Sequence, residues 1–179
     1  MRRVSTPNDR VVVVGAGTTP LVAELILAGY HLVDAVDVSP LAVDRLTAHL
    51  GDQAERVTVR CADVRTSTFA EQVDVWHDRA VFHFFTAAAD RAMYAARAAD
   101  AVRPGGHLVI GAFASNGPTE CSGLPVARQD VNSLTRTFDG FDLVESFDRV
   151  HVTPWGAEQH FVHAVFRRAA ASRATKRRT

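Results

Sequence analysis

Four valines in a row, Val11 to Val14, lead directly into Gly15-Ala16-Gly17. A short apolar run of β-branched residues predicts a strand buried on both faces. Thr19-Pro20 then suits a helix start, with threonine as cap and proline in the first helical position. Leu21, Val22, Leu25 and Ile26 make one helical face, and Gly29 ends it. The alternation continues along the chain. Leu32 to Val38 reads as a second strand with Asp37 at its C-terminal end, and Ser39-Pro40 opens a helix carrying Val43, Leu46 and Leu50 before Gly51. Val57 to Cys61 is the third predicted strand and Val73 to His77 the fourth. A helix from about Ala87 to Val102, capped by Thr86, is stopped by the turn signal Arg103-Pro104-Gly105-Gly106. His107 to Ala114 gives a fifth strand, and Ser115 to Gln129 an irregular loop rich in Gly, Pro and Ser. Asp130 caps a short helix bearing Val131, Leu134 and Phe138. Phe141 to Arg149 and Gln159 to Arg167 close the pattern as two strands, with Thr153-Pro154-Trp155-Gly156 in the loop between them.

Strands alternating with helices imply parallel strands joined by right-handed crossovers, an α/β fold of the Rossmann-like, doubly wound kind. Ligands of such sheets bind beyond the C-terminal strand ends, where the strand order reverses. The chemistry is expected in the loops after Val14, Val38, Cys61 and Trp76. Residues 1–168 read as one domain and 169–179 as a basic disordered tail, dispensable for folding because it has no apolar face to bury.

Charge changes this picture at one end only. Acids and bases number 20 each, but six of the bases lie between Arg167 and Thr179, which leaves the preceding body with 14 bases against 20 acids. An acidic body argues against a nucleic-acid surface. The tail reads as a solvated terminus or as a contact for phosphate or an acidic partner. Cys61 and Cys121 have neither disulfide-framework nor zinc spacing. No apolar run approaches the roughly 20 residues of a membrane helix, and no signal-peptide core follows Arg2-Arg3. The expectation is a cytoplasmic protein that uses no membrane and no metal. His160 and His163 fall on opposite faces of a strand.

Gly15-x-Gly17, between strand and helix, lets a ligand approach the backbone at a helix N-terminus; it serves equally as a tight turn with no ligand. Asp37, ending the second strand, can accept hydrogen bonds from both hydroxyls of a ribose, or simply cap the helix at Pro40. Nicotinamide and flavin enzymes share both features. Asp63 follows the third strand, where it can accept a hydrogen bond from an adenine amino group, and Arg103-Pro104-Gly105-Gly106 precedes the fifth.

With these residues the chain resembles class I S-adenosylmethionine-dependent methyltransferases from about Arg10 to Arg167. It is most similar to small bacterial members through Trp76-His77-Asp78-Arg79-Ala80-Val81-Phe82-His83-Phe84, the Cys121 to Pro125 segment and Thr153 to Gly156. The resemblance implies a seven-stranded, mostly parallel sheet with an antiparallel last strand. It implies S-adenosyl-L-methionine as cofactor, with Gly15, Ala16 and Gly17 along its methionine portion, Asp37 on the ribose, and Val38, Ala62, Asp63 and Val64 around adenine. His77 and Asp78 would face the methyl group and the substrate. His77, Asp78 and His83 are the candidate general bases, and Phe82, Phe113, Cys121 and Trp155 the candidate substrate-side residues. Each has a structural alternative as loop former or core residue. The chain departs from the family pattern where an acid usually stands two residues before the first glycine, here Val13, and at the third glycine position, here Thr19. About nine residues precede the first strand, in place of a covering helical segment. Both departures predict a modest hold on the cofactor.

A nicotinamide oxidoreductase would need a Tyr-x-x-x-Lys pair or its equivalent. The tyrosines are Tyr30 and Tyr94, and the one lysine is Lys176. The reading is a methyltransferase acting on a small molecule or a protein side chain. The alternative is a degenerate domain that binds cofactor or a partner without catalysis. Trp76-His77-Asp78-Arg79 stands where enzymes acting on nucleic-acid amines carry a proline-centred tetrapeptide, which argues against an exocyclic-amine substrate.

Overall fold

The computed structural model describes residues 4–17 and 19–170. The tail from residue 171 lies outside them, so the expectation for it does too. Strands β1 (Val11–Val14), β2 (Val33–Asp37), β3 (Val57–Cys61), β4 (Val73–Arg79), β5 (Val102–Phe113), β8 (Phe141–Val152) and β9 (Glu158–Arg168) form one sheet in the order β3-β2-β1-β4-β5-β9-β8. β9 runs antiparallel to both neighbours and the β1–β5 pairings are parallel. The order reverses between β1 and β4, which opens a crevice at their C-terminal ends. The stretch between β5 and Asp130 is not wholly irregular. It contains a small hairpin, β6 (Glu120–Cys121) and β7 (Leu124–Pro125).

Helices α1 (Leu21–Leu27) and α2 (Pro40–Leu50) cover one face. Val22, Leu25, Ile26, Leu46 and Leu50 pack there on Val11, Val13, Ala35 and Val75. Helices α3 (Ala88–Ala101) and α4 (Val131–Thr137) cover the other. Tyr94, Ala98, Leu134 and Phe138 meet Val12, Val14, Trp76, Leu108 and Phe166 there. The odd and even positions of β1 thus feed two cores, as strand alternation requires. Ser39 Oγ accepts from the Ala42 amide with Pro40 in the first turn of α2, and Asp130 and Ser133 form a capping box on α4. Two expected caps differ. α1 begins after Pro20, with Thr19 Oγ1 accepting from the Leu21 amide, and α3 begins after Ala87, where Thr86 makes no cap.

The Arg103–Gly106 stretch is a bulge inside β5 rather than a turn before it. Val73 pairs with Val102 and Val75 with His107, so the intervening residues loop out of register. Arg103 donates to Asp74 there, and the Arg10 amide donates to the same carboxylate. β4 runs two residues beyond its expected end at His77, which puts Arg79 on the sheet.

Candidate active site

The loop after β1 is held by β2. The Gly15 and Ala16 amides both donate to the Val36 carbonyl. The Gly17 amide donates to Asp37 Oδ2 at 3.0 Å and the Ser39 amide to Oδ1 at 2.9 Å. Gly15 has φ +64°, and a β-carbon there would lie 2.1 Å from Val81 Cγ2. Glycine is therefore required by the backbone and by the neighbour. Asp37 has one amide on each oxygen, and a carboxylate offers about four acceptor sites, so it still presents acceptor capacity at the mouth of the crevice. Val38 beside it is 70% exposed, an apolar surface without a protein partner on most of its area.

After β3 the arrangement is less open. The Ala62 amide donates to the Asp37 carbonyl. Asp63 is clasped by Arg65 through its amide, Nε and Nη2, and these hydrogen bonds hold the carboxyl below its usual range. Arg65 also pairs with Asp90 of α3. Val64 is buried in the α3–α4 core, so its side chain does not frame a ligand.

His77 and Asp78, neighbours in sequence, point to opposite faces of β4. The Asp78 carboxylate lies fully buried on the α3 side, accepting from the Val81 and Phe82 amides and from the Tyr94 hydroxyl. Trp76 Nε1 donates to Tyr94 Oη at 2.8 Å, completing a closed chain. Burial raises Asp78 to about 6. Its partners build the turn after β4, and it does not reach the crevice. His83 is likewise a core residue: its Nδ1 accepts from the Phe113 amide, its ring lies 4.5 Å from that of Phe113, and burial pushes it down to about 4. Phe82 is buried among Phe85, Tyr94 and Phe138, so it walls no substrate. These are corrections to the sequence expectation: strand alternation turns Asp78 away from His77, and the 3-10 turn over Phe82–Phe84 directs Phe82 and His83 into the core.

His77 faces the other way. It stands opposite Val13 in the β1–β4 register, and its Nδ1 is buried without a hydrogen-bond partner. Burial, with Arg79 and His163 nearby, pushes its pKa down to about 4. His77 lines a cavity of about 180 Å³ that runs from Val13 and Gly15 past Thr19 and Leu21 to Arg79, Phe113 and Cys121. The far wall is Phe161 and Gln159 of β9 with His151 of β8. Phe113 and Cys121 thus meet His77 across one space. Trp155 does not line it; it sits at the β8–β9 turn, 79% exposed. Arg79, Phe161 and Val13 were not among the expected site residues. The signal for Arg79 was available, because it shares a strand face with His77 once β4 is extended by two residues.

Residues 11–106, more than half of the chain, match the model of a protein family described as a methyltransferase domain. The chain belongs to this methyltransferase family. The methyltransferase domain takes S-adenosylmethionine as its cofactor. No curated protein matches its sequence. Among solved structures it is similar to the N-methyltransferase NodS from Bradyrhizobium japonicum WM9, at 17% identity and TM-score 0.75, over 90% of this chain and 86% of that one. It is similar to a S-adenosylmethionine-dependent methyltransferase from Methanosarcina mazei, at 12% identity and TM-score 0.78, over 94% and 96%. A third is the 1,6-didemethyltoxoflavin-N1-methyltransferase of Burkholderia thailandensis with its substrate and S-adenosylhomocysteine bound, at 24% identity and TM-score 0.70, over 90% and 71%. At these identities the likeness carries the fold. No helix among the described residues is long and apolar enough to cross a membrane.

Proposed function

We propose that the methyltransferase domain methylates a small molecule held in the cavity, with His77 taking the proton that the acceptor gives up. The observation that carries this reading is the cavity itself. It brings the glycine turn at Gly15, His77 with its buried and unpartnered Nδ1, and Phe113 and Phe161 around one space. Its volume, about 180 Å³, is below that of pockets enclosing drug-sized ligands and restricts the acceptor to a small molecule.

The loop residues fit the cofactor at its ribose end. Asp37 would take the ribose hydroxyls, Val38 would pack on the base, and Gly15 would let the methionine portion approach the backbone. Asp63 would share its carboxylate between Arg65 and the adenine amino group. Val13 supplies no charge for the ammonium. When bound, the cofactor would supply a methyl group already activated on a sulfonium, with the neutral thioether as leaving group. The chain contributes alignment and exclusion of water, through the rings of Phe113 and Phe161, and a proton acceptor. His77 is neutral at pH 7, and its buried Nδ1 has a free lone pair in the tautomer protonated at Nε2.

The test is incubation with methyl-labelled S-adenosylmethionine and a metabolite library. Wild type should yield a labelled small molecule. His77→Gln should lose about a hundredfold in turnover while keeping cofactor affinity by calorimetry. Cofactor binding with no turnover on any acceptor would favour a degenerate, binding-only domain instead.

A further inference from the structure

We propose that Arg79 makes this cavity selective for acceptors that carry an anionic group, small aromatic carboxylates being the class that matches its walls. The proposal rests on the reading of the cavity as the acceptor site. Its first support is the charge of the lining. Arg79 is there, with His77 and His151, and among the described residues no Asp or Glu lines the same space. The body of the chain is acidic, so a cavity free of carboxylates is a local departure. The place where the family pattern puts an acid is filled by Val13, a residue at the cavity's edge that carries no charge. The nearest carboxylate in sequence, Asp78, is committed to the opposite face of the sheet.

The second support is that Arg79 has no counter-charge. Arg10, Arg60, Arg65 and Arg103 each meet a carboxylate. Arg79 meets none among the described residues. Its guanidinium instead lies 5.5 Å from the centroid of the Phe161 ring. Gly111 makes room for the His163 ring, which a β-carbon there would meet at 2.8 Å, while Arg79 Cγ would lie in ordinary contact at 3.6 Å. A guanidinium that meets a ring face and no carboxylate leaves its N–H fork available to an incoming carboxylate.

The third support is shape. Phe113 and Phe161 cross edge to face, 4.8 Å between centroids, and both border the cavity. A planar ring lying along this aromatic wall would turn its carboxylate toward Arg79 and a ring hydroxyl toward His77. Methylation then joins the methyl carbon to that heteroatom, and the proton leaves to His77 Nδ1. The carboxylate stays ionised throughout and serves only recognition.

The experiment compares matched pairs differing only in charge. Benzoate, 4-hydroxybenzoate and indole-3-carboxylate are each titrated against the corresponding amide, by calorimetry, with S-adenosylhomocysteine present and again without it. At least one carboxylate should bind wild type about tenfold more tightly than its amide. Arg79→Gln should erase that preference and leave S-adenosylhomocysteine affinity within about twofold, with Arg79→Lys recovering part of it. Equal binding of every pair, no binding of any carboxylate, or a preference that survives Arg79→Gln overturns the proposal. A large loss of S-adenosylhomocysteine affinity in Arg79→Gln also overturns it, by assigning the arginine to the cofactor's own carboxylate. Failure of wild type to bind S-adenosylhomocysteine counts against the methyltransferase reading, and the titrations without it still judge Arg79.

Discussion

The hydroxyl of Tyr94, on α3, donates to the carboxylate of Asp78, on β4, with both groups wholly inside the core. The pair spans the layer between sheet and helix directly behind the candidate active site. Tyr94→Phe leaves Asp78 without its hydroxyl donor and the Trp76 indole without its acceptor. The expected cost is roughly 1–3 kcal/mol, read as a lower urea midpoint with unchanged slope.

Asp78 also shapes the response to pH. Folded, it holds its proton up to about 6, whereas the unfolded carboxyl releases it near 3.8. Between those values the folded state binds more protons, so this residue's contribution to stability falls as pH rises and is level above about 6. His77 and His83, pushed down to about 4, act in the opposite sense, because unfolding lets them take up protons below 6.5. The Asp78 part is therefore the difference between wild type and Asp78→Asn. Denaturation at pH 4, 5, 6 and 7 should show the variant gaining relative to wild type as pH rises.

Turnover should follow His77. With its pKa near 4, the imidazole stays neutral through the usual assay range. Rate should be level from about pH 8 to 6 on this group's account and decline toward pH 4. An acid limb centred near 6.5 would show that another group carries the proton.

Gly15→Ala meets two separate obstacles, a positive φ and the Val81 methyl. The left-handed backbone costs about 1–2 kcal/mol for alanine. Trimming the neighbour removes only the clash. The double variant Gly15→Ala with Val81→Ala should therefore recover part of the lost stability and never all of it. Additive single effects in a double-mutant cycle would contradict the contact.

Asp37→Ala removes the acceptor for the Gly17 and Ser39 amides as well as for the ribose. Loss of a charge-assisted pair of this kind is worth roughly 1.5–3 kcal/mol, or about ten- to a hundredfold in cofactor affinity. Calorimetry against wild type decides it, with melting temperature as the control for the loop. Unchanged affinity would remove Asp37 from the ribose.

Much of the frame was legible in the residues. Val11–Val14 has no face to spare for water and could only be an inner strand. Asp37 ends the second strand where the sheet order turns, and Asp130 with Ser133 carries its own cap. The failures have one physical character, which is that local spacing does not fix which way a side chain points or what meets it from afar. His77 and Asp78 looked like a pair, yet consecutive strand residues face opposite layers. Thr86 has the chemistry of a cap, yet the chain enters α3 at Ala87. Asp63 is free in sequence but clasped in space by Arg65, itself drawn over by Asp90. Arg79 was passed over because the strand was ended at His77.

The contact of Gly15 with Val81 ties the loop after β1 to the loop after β4. One loop lies at the expected cofactor, the other beside the cavity, and neither can shift far without moving its neighbour. Two ligands that each settle one of these loops share a coupling free energy. Reciprocity then fixes the outcome: whatever factor the first applies to the affinity of the second, the second returns to the first. Shortening Val81 would remove this contact's share of the coupling, and the two affinities would depend on each other less.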